Sequence, residues 1–421
     1  MNIVIVNDSA FVRGGADRVA FDSACALADN GHRVILFTAF GDDDNVGKNH
    51  KLISRVSVGS DWIRQGQHSP GAAIRGIWNF RAARKMREVL SKLDCRDTVV
   101  HVHLYSSALT ASVLHAAIRQ KFATILTLHD YFITCPNGAY FVFPKAELCD
   151  RRALSFSCLS CDCDSRKRSH KIWRVARTVL QNPIAGIKDG ISAYIAVSGT
   201  CAALARRDLP ASARIETVPN VVAVERLPPI DAARNKEFVF TGRLETYKGP
   251  QLLAKAASEL RLPVTFCGSG PAEADLRKIY PEATYLGWVD AKKVIEVLGK
   301  ARAFVFPSVY RETFGLSAAE ALAKGIPVVA SRGTAAEEFV QHDENGLLFE
   351  HNSPEDLAIQ LSKLSDDKLV ERLGREAYKR YWKNPLTIGA HVSRLTALYE
   401  SVLTRNSSFA HVSSASGTLP G

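Results

Sequence analysis

The sequence predicts an α/β protein made of two doubly wound, Rossmann-like domains. Two stretches, residues 3–38 and 303–330, each have the pattern of a strand, a loop, a helix and a second strand, which is the repeating unit of a parallel sheet. A chain of 421 residues is long enough for two domains, each with its own hydrophobic core. Ligands of such sheets bind at the carboxyl ends of the strands, so the loops there are the first candidates for a site.

The composition is typical of a globular protein with anionic partners. The formal net charge is +11 at pH 7, which favours phosphorylated ligands, anionic lipid or nucleic acid without choosing among them. No apolar run approaches the roughly 20 residues needed to cross a bilayer. The first residues, MNIVIVNDSA, enter a strand directly and carry no basic leader segment. We therefore expect a cytoplasmic protein.

The first strand–helix unit contains a glycine pair. Residues 3–6 form the strand, Gly14 and Gly15 open a helix that ends near residue 30, and residues 32–38 form the second strand. The loop lacks the full G-x-G-x-x-G pattern, and no acidic residue closes the second strand. A nicotinamide cofactor is therefore not expected.

Two carboxylates, Glu312 and Glu320, mark the second unit. The predicted helix begins near Thr313 and ends at Lys324, which puts Glu320 about 12 Å along the axis from Glu312 if every step is helical. Carboxylates this far apart suit different parts of one extended ligand, such as a nucleoside diphosphate sugar. Gly315 would let phosphate approach the backbone at the positive end of the helix. Alternatively, this is a helix with an acidic first turn and one solvated glutamate.

The loop after the strand at 237–241 carries two cations. Arg243 and Lys248 lie five residues apart in the stretch GRLETYKG, which runs into a helix. A planar guanidinium and a mobile ammonium together can neutralise a diphosphate. A basic surface loop of this kind is common and does not by itself indicate a phosphate site. Its interpretation as one therefore depends on the two glutamates.

Together these stretches resemble the retaining glycosyltransferases of family 4, which have the GT-B fold of two Rossmann-like domains facing across a cleft. The match comprises the E-x7-E spacing, P-S before it, G-I-P-V-V-A-S after it, and the G-R-L-x-x-x-K-G loop. The resemblance implies that Glu312 holds the sugar hydroxyls and Glu320 the ribose. It also implies that Arg243 and Lys248 stabilise the leaving diphosphate, so Glu312, Arg243 and Lys248 are predicted catalytic residues.

Smaller segments extend the resemblance. They are the glycine loop after the first strand, a G-x-G-P turn, the loop that meets the nucleobase, and the E-x-F-G-L turn. The substrate-binding residues that these segments imply are Gly14, Gly15, Gly268, Val289, Phe314, Gly315 and Leu316. Trp288, next to Val289, could instead belong to the core.

The first half adds a histidine at a strand end. The predicted strand at 123–128 is followed by His129 and Asp130, in the segment HDYFITCP. This resembles the H-D-Y-x-x-x-C-P segment of a bacterial subset of family 4, in which the histidine points at the reacting sugar. His129 is therefore a predicted catalytic residue and Asp130 a predicted substrate-binding residue. His101 and His103 share one face of the preceding strand, and their role, structural or functional, stays open.

Residues 131–168 form a long irregular insertion with five cysteines. Four of them, Cys135, Cys149, Cys158 and Cys161, resemble a cluster found in the same bacterial subset. Four thiolates can close a tetrahedral zinc site, so a structural zinc is expected, with an iron–sulfur cluster or reduced thiols as alternatives.

Two basic, amphipathic segments, residues 74–93 and 166–187, lie in the first half. They could face an anionic membrane or a lipid-linked acceptor. Alternatively, the first is a surface helix and the apolar stripe of the second packs on the sheet. An acidic run at 42–44 could bind a divalent cation, although such loops are usually solvated.

The expected organisation follows from these segments. We predict an acceptor-binding domain at 1–224, a nucleotide-sugar-binding domain at 225–384, a helix at 385–405 that returns to the first domain, and a disordered tail at 406–421.

The resemblance implies transfer of a sugar from a nucleotide diphosphate donor, of UDP or GDP type, to a sugar or lipid-linked saccharide. No cofactor is required for this catalysis, and the nucleic acid that the net charge would also admit is not an expected partner. Assembly of lipopolysaccharide, capsule or exopolysaccharide at the inner face of a membrane is the expected setting. The rivals are a nucleotide-sugar epimerase of the same fold and a non-catalytic binder of membrane or nucleic acid.

Overall fold

A computed structural model describes residues 1–41, 46–47, 49–60 and 70–415 of the chain. Its first half contains a seven-stranded parallel sheet, in the order β3-β2-β1-β4-β5-β8-β9, and a small antiparallel hairpin, β6-β7, among the described residues. The strands of this half are β1 (Asn2–Ser9), β2 (Arg33–Phe40), β3 (Ile53–Ser57), β4 (Thr98–Val102), β5 (Ala123–Leu128), β6 (Phe141–Val142), β7 (Glu147–Leu148), β8 (Ala193–Ala196) and β9 (Ile215–Thr217).

Helices cover both faces of this sheet. They are α1 (Gly15–Asp29), α2 (Pro70–Ile77), α3 (Phe80–Leu90), α4 (Ser112–Arg119), α5 (Phe156–Ser160), α6 (Arg168–Val179), α7 (Ile187–Gly190) and α8 (Gly199–Arg206). A π-helical turn, Leu180–Ile184, follows α6 directly. The central strands β4 and β5 are wholly buried, because a parallel sheet is covered on both faces.

The second half forms a six-stranded parallel sheet in the order β12-β11-β10-β13-β14-β15 within the described residues. Its strands are β10 (Glu237–Thr241), β11 (Val264–Cys267), β12 (Thr284–Tyr285), β13 (Ala301–Phe306), β14 (Val328–Ser331) and β15 (Gly346–Phe349). Its helices are α9 (Pro250–Leu260), α10 (Glu273–Ile279), α11 (Ala291–Leu298), α12 (Leu316–Ala323), α13 (Pro354–Lys363) and α14 (Asp367–Lys383). The predicted fold class of two doubly wound α/β domains is confirmed.

The last helix, α15 (Ile388–Ala415), returns to the N-terminal sheet. Its buried side chains, among them Leu395 and Tyr399, pack in one cluster with Ile3 and Ile5 of β1. The prediction of a disordered tail from residue 406 is wrong up to Ala415, because α15 continues through the serine-rich segment. Serine alone does not stop a helix, and no glycine or proline occurs there before Gly417.

Two further boundaries differ from prediction. The basic segment at 74–93 is two helices, α2 and α3, and the side chain of Asn79 caps α3 by accepting from the N–H of Ala82. The helix after Glu312 begins at Leu316, not near Thr313, because Gly315 has a φ of 95° and ends the loop in the left-handed region. Among the described helices, none is long and apolar enough to cross a membrane.

The orientation of helix α6 contradicts the alternative in which its apolar stripe packs on the sheet. The helix buries Lys171, Arg174 and Arg177, whereas Ile172 is 64% exposed. The buried cations have specific partners: Arg174 pairs with Asp164 at 3.3 Å, and the ring of Phe132 lies 4.7 Å from the Arg177 guanidinium carbon. Polar pairing therefore decides the orientation of this helix, which leaves Ile172 exposed and Trp173 and Val179 half-buried.

Candidate functional site

The carboxylate of Glu312 lies after β13, at the carboxyl edge of the C-terminal sheet, and is held by three side chains. Lys248 Nζ donates to its Oε1 at 2.5 Å, Ser308 Oγ donates to the same oxygen at 2.7 Å, and Tyr310 OH donates to Oε2 at 2.8 Å. Glu312 is buried, with 7% exposure. The structure thus brings together Lys248 and Glu312, which are 64 residues apart in the chain.

This environment keeps Glu312 ionised. Burial alone would raise its pKa, but the charge of Lys248 and the hydrogen bonds from Lys248, Ser308 and Tyr310 together outweigh burial and lower it. A buried carboxylate with a single cationic partner is costly to leave unpaired. Glu312 is therefore a fixed hydrogen-bond acceptor, which suits the hydroxyl groups of a sugar.

Arg243 lies on the neighbouring loop after β10, next to Tyr247. Its Nη2 donates to Tyr247 OH at 2.5 Å, and its side chain is 59% exposed. Tyr247 packs edge-to-face on Tyr310, with ring centroids 5.0 Å apart. The two loops are therefore braced against each other, and the Arg243 guanidinium stays open to a ligand beside Lys248.

Two glycines allow the loops to approach this closely. Gly249 has a φ of 72°, and a Cβ there would lie 1.9 Å from the carbonyl oxygen of Pro307. Gly268 has a φ of 143°, and a Cβ would lie 1.8 Å from the carbonyl oxygen of Gly242. Any side chain at either position would push the strand-end loops apart. Gly268 therefore acts on the site through loop spacing.

Glu320 lies on α12, within two turns of the start of the helix. Burial raises its pKa, and Arg18 and Lys324 act in the opposite direction. Arg18 belongs to α1 of the N-terminal domain, so Glu320 faces the space between the domains. Both predicted carboxylates therefore lie near the domain boundary.

The loop that joins Glu312 to α12 contacts the N-terminal domain directly. Thr313 Oγ1 donates to the backbone oxygen of His129 at 3.3 Å, and Ser198 Oγ donates to the oxygen of Thr313 at 2.7 Å. A Cβ on Gly15 would lie 2.4 Å from Leu316 Cδ1. Gly15, His129 and the Glu312 loop, predicted from three separate segments, thus meet at one boundary.

Gly14 has open space around it. Nothing lies within 4 Å of the position of a Cβ on this exposed residue. Its φ of −172° is extended backbone that any residue adopts, so conformation does not require glycine here. A ligand would have free access to the start of α1.

Phe314 occupies a different environment from the one its predicted role suggests. Its side chain is 3% exposed and packs edge-to-face on Phe339, with centroids 5.0 Å apart. The ring therefore belongs to the core between the domains, and only the backbone of Phe314 can meet a ligand.

The loop predicted to meet the nucleobase follows β12 and lies beside Gly268, whose N–H donates to the oxygen of Gly287 at 2.7 Å. Val289 is half-buried, and Trp288 is 79% exposed. The alternative that places Trp288 in the core is wrong. The loop after β12 presents an aromatic ring to solvent because it turns outward at Gly287, where φ is 67°.

His129 is half-buried and lies next to two buried histidines, His101 and His103. Its Nε2 lies 3.0 Å from Nδ1 of His103, and Asp130 next to it accepts from the N–H of Phe132 at 3.1 Å. Burial lowers the pKa of His129 to about 3, with a smaller contribution from His391. His129 is therefore neutral at physiological pH and can act as a hydrogen-bond partner without carrying charge.

Two members of the predicted metal quartet, Cys149 and Cys161, pack in one cluster with Cys163, which was not part of the predicted set. Over the described ranges, no group of three or more His, Cys, Asp or Glu side chains is placed to hold a metal ion. Cys135 Sγ donates to Asn137 Oδ1 at 3.1 Å, and the ammonium of Lys171 lies 3.1 Å from Cys163 and 3.7 Å from Cys158. The ammonium of Lys171 therefore lies beside one predicted ligand, Cys158, and a structural zinc stays a prediction. The acidic run at 42–44 lies outside the described residues.

Sequence reasoning missed the residues that support Glu312. Ser308 and Tyr310 hold its two oxygens, and Tyr247 braces Arg243. The available signal was proximity, since Ser308 and Tyr310 lie four and two residues before Glu312. Nothing in that spacing shows which hydroxyl turns inward.

The buried histidines predict that stability depends on pH. Burial lowers the pKa of His101 and His129 to about 3, and also lowers that of His103 and His391. Below pH 6.5 these histidines are protonated in the unfolded chain but stay neutral in the folded chain. The free energy of unfolding therefore falls by about 1.4 kcal/mol per pH unit for each such histidine as the pH is lowered. We expect the melting temperature to fall between pH 7.5 and 5.5, and less steeply in His101→Asn. A melting temperature that is constant over this range would contradict the buried, neutral group.

With the geometry described, the chain can be compared with known proteins. The family description Glycosyltransferase Family 4 matches residues 13–226, which is more than half of the chain, and Glycosyl transferases group 1 matches residues 229–380. The chain belongs to glycosyltransferase family 4. The two matches meet between the two sheets, at residues 226–229.

Curated relatives match over part of their length. A D-inositol 3-phosphate glycosyltransferase of Corynebacterium jeikeium is 36% identical over 162 residues, which are 34% of this chain and 39% of the relative. The D-rhamnosyltransferase WbpZ of Pseudomonas aeruginosa is 32% identical over 155 residues, or 34% of this chain and 40% of the relative. The chain thus spans about two fifths of the length of the curated relatives it matches.

Solved structures show that the fold of this family 4 member is GT-B. Sucrose-phosphate synthase from Thermosynechococcus elongatus superposes with a TM-score of 0.68 at 18% identity, covering 96% of this chain and 99% of the other. Anabaena HepE in complex with UDP superposes with a TM-score of 0.66 at 16% identity, covering 95% and 100%. At these identities the likeness concerns the fold alone.

Proposed function

We propose that this protein is a retaining glycosyltransferase that moves a sugar from a nucleotide diphosphate sugar to an acceptor hydroxyl. The observation that carries the proposal is the assembly of Arg243, Lys248 and Glu312 at adjoining strand ends, with Glu320 on the helix that follows. Two cations and two separated acids fit a donor with a sugar at one end, a diphosphate in the middle and a ribose at the other. Membership of family 4 supports the same reaction class.

In the proposed reaction, Arg243 and Lys248 bind the diphosphate and stabilise the negative charge that develops as it leaves. Lys248 contacts Glu312, so phosphate oxygens would compete with this carboxylate for its ammonium. Glu312 then accepts from sugar hydroxyls, and Glu320 accepts from ribose hydroxyls. The acceptor hydroxyl attacks the anomeric carbon from the face that the leaving phosphate vacates, and its proton passes to that phosphate. This geometry retains the anomeric configuration.

Catalysis in this scheme requires no cofactor. A divalent cation often neutralises the diphosphate in transferases of other folds, and here the two side-chain cations supply that charge. We therefore expect turnover to survive chelation with EDTA. The donor is of UDP or GDP type, and the solved complexes of HepE with UDP and with UDP-glucose favour testing UDP sugars first.

The proposed acceptor is a sugar or a lipid-linked saccharide, handled at the inner face of a membrane by a cytoplasmic protein. Helices α2, α3 and α6 expose large apolar side chains that the core does not use: Ile74 at 60%, Phe80 at 72% and Ile172 at 64%. The Trp173 indole donates to Ala73 at 3.0 Å, which joins α6 to α2. Exposed cations surround these residues, namely Arg75, Arg81, Arg84 and Lys85. Such a surface suits anionic lipid and supports a role in cell-surface polysaccharide assembly.

The function is tested by a screen of nucleotide sugars for binding, followed by product analysis with a lipid-linked saccharide acceptor. We expect one UDP or GDP sugar to bind and to yield a product with the donor's anomeric configuration.

Glu312→Gln should lower kcat/KM about 100-fold or more, because the neutral amide cannot replace a charged acceptor. Glu259→Gln, at an exposed position of α9, should leave kcat/KM unchanged. Release of a free altered sugar without acceptor would replace the proposal by an epimerase. Binding to vesicles without binding to any nucleotide sugar would reject both.

A further inference from the structure

Three histidine rings form a column at the end of β4 and β5. The centroids of His101 and His103 lie 4.2 Å apart, and those of His103 and His129 lie 5.2 Å apart in a stacked arrangement. His101 is fixed at both nitrogens, with Tyr399 OH 2.6 Å from Nδ1 and Thr127 Oγ1 2.7 Å from Nε2. The base of the column is therefore rigid, and His129 at its top adjoins the Glu312 loop through Thr313.

His103 has one nitrogen in use and one without a partner. Its Nδ1 lies 3.0 Å from Nε2 of His129, whereas its Nε2 is buried with no hydrogen-bond partner among the described residues. His103 is 3% exposed, and burial lowers its pKa well below the ordinary value. Both rings are therefore neutral at physiological pH, and a single hydrogen lies between them.

Two arrangements of that hydrogen are possible. If His129 donated from Nε2, the second hydrogen of the pair would lie on His103 Nε2, as a buried N–H with no acceptor. If His103 donates from Nδ1, its Nε2 carries only an unsatisfied lone pair, and Nδ1 of His129 carries the hydrogen. Orphaned buried N–H groups are rarer in folded proteins than unsatisfied acceptors, so the second arrangement is favoured.

We propose that His103 is a positioning residue that holds His129 in the Nδ1–H tautomer, so that His129 offers a hydrogen-bond donor to the reacting sugar or its phosphate. This inference rests on the proposed function for the ligand, but the tautomer itself does not. A donor at Nδ1 suits hydroxyl and phosphate oxygens. It cannot accept the proton of the acceptor hydroxyl, which leaves the departing phosphate as the base.

The tautomer is measured directly by NMR on the full chain labelled with 15N-histidine. Two-bond 15N–1H correlations distinguish the protonated from the bare ring nitrogen, and His129→Ala identifies the signals of His129. We expect Nδ1 of His129 to be protonated at pH 7.5, and protonation at Nε2 would overturn the proposal. The measurement needs no turnover, so an inactive protein with this tautomer would reject the proposed function and leave the inference standing.

A double-mutant cycle tests the coupling of His103 to catalysis. His129→Ala should lower kcat about 100-fold and His103→Leu about 10-fold, while the double variant should equal His129→Ala, because His103 acts only through His129. His103→Asn can still donate from its amide and should recover most of the activity. His115→Leu, a histidine of α4 outside the column, should leave kcat unchanged. A double variant about 1,000-fold below the parent would mean independent effects and would overturn the proposal.

Discussion

Replacing Lys248 by alanine should lower kcat about 1,000-fold. Lys248 Nζ donates to Glu312 at 2.5 Å. In the proposed reaction its ammonium contacts the leaving diphosphate and stabilises the negative charge there. Removing one preorganised donor to a developing charge typically costs 10²–10³ in rate, and Lys248 also orients the sugar-binding carboxylate. Activity should be measured with the donor identified in the screen, at saturating donor and acceptor, so that the loss is read in kcat.

A second effect of the same substitution must be separated from the first. Lys248→Ala leaves the buried carboxylate of Glu312 without its cation, which destabilises the fold. The double variant Lys248→Ala with Glu312→Gln removes that buried charge, so its melting temperature should recover while kcat stays low. Lys255→Ala, an exposed lysine on α9, is the matched control and should match the parent in both. Full activity of Lys248→Ala would refute the phosphate clamp.

Gly249→Ala should cause a large loss of stability. The residue has a φ of 72°, and the new Cβ would lie 1.9 Å from the oxygen of Pro307, which is backbone and cannot rotate away. The left-handed backbone alone costs about 1–2 kcal/mol, and the displaced loop adds to it. We expect the melting temperature to fall by at least about 5 °C, together with a loss of donor binding, because the loop carrying Lys248 is pushed away from Glu312.

The control for this substitution is another glycine in an open environment. Nothing lies within 4 Å of a Cβ on Gly389, in the first turn of α15, so Gly389→Ala should be neutral or stabilising by about 1 kcal/mol. Calorimetry on both variants gives the comparison. Equal melting temperatures for Gly249→Ala and the parent would show that the two loops do not approach each other closely enough to require glycine at this position.

Local sequence patterns were sufficient to predict the architecture. Apolar runs such as 303–306 and glycine stops such as Gly325 mark strands and helix ends locally, so the two α/β domains could be predicted. The same holds for which side chains lie at strand ends, since a loop directly after an apolar run can only be at the carboxyl edge of its strand. Arg243, Lys248 and Glu312 were placed at strand ends in this way, and the resemblance to the family supplied their predicted roles.

Local pattern failed where a partner comes from elsewhere in the chain. The apolar stripe of α6 predicts that its cations face outward, but Arg174 and Lys171 turn inward because Asp164, Cys158 and Cys163 are there to receive them. The spacing of the cysteines likewise could not show that the ammonium of Lys171 lies between Cys158 and Cys163.

The amino-acid sequence by itself determined the order of strands and helices, the family and the identity of the charged residues at the strand ends, because periodicity and turn chemistry act over a few residues. Only the tertiary structure decided that Lys248 pairs with Glu312, that Gly15 packs against Leu316 and that His103 supports His129. Each of these contacts joins residues from different strand ends. The first and third distances depend on which strands are neighbours within one sheet, the second depends on how the two domains pack, and no local signal records either.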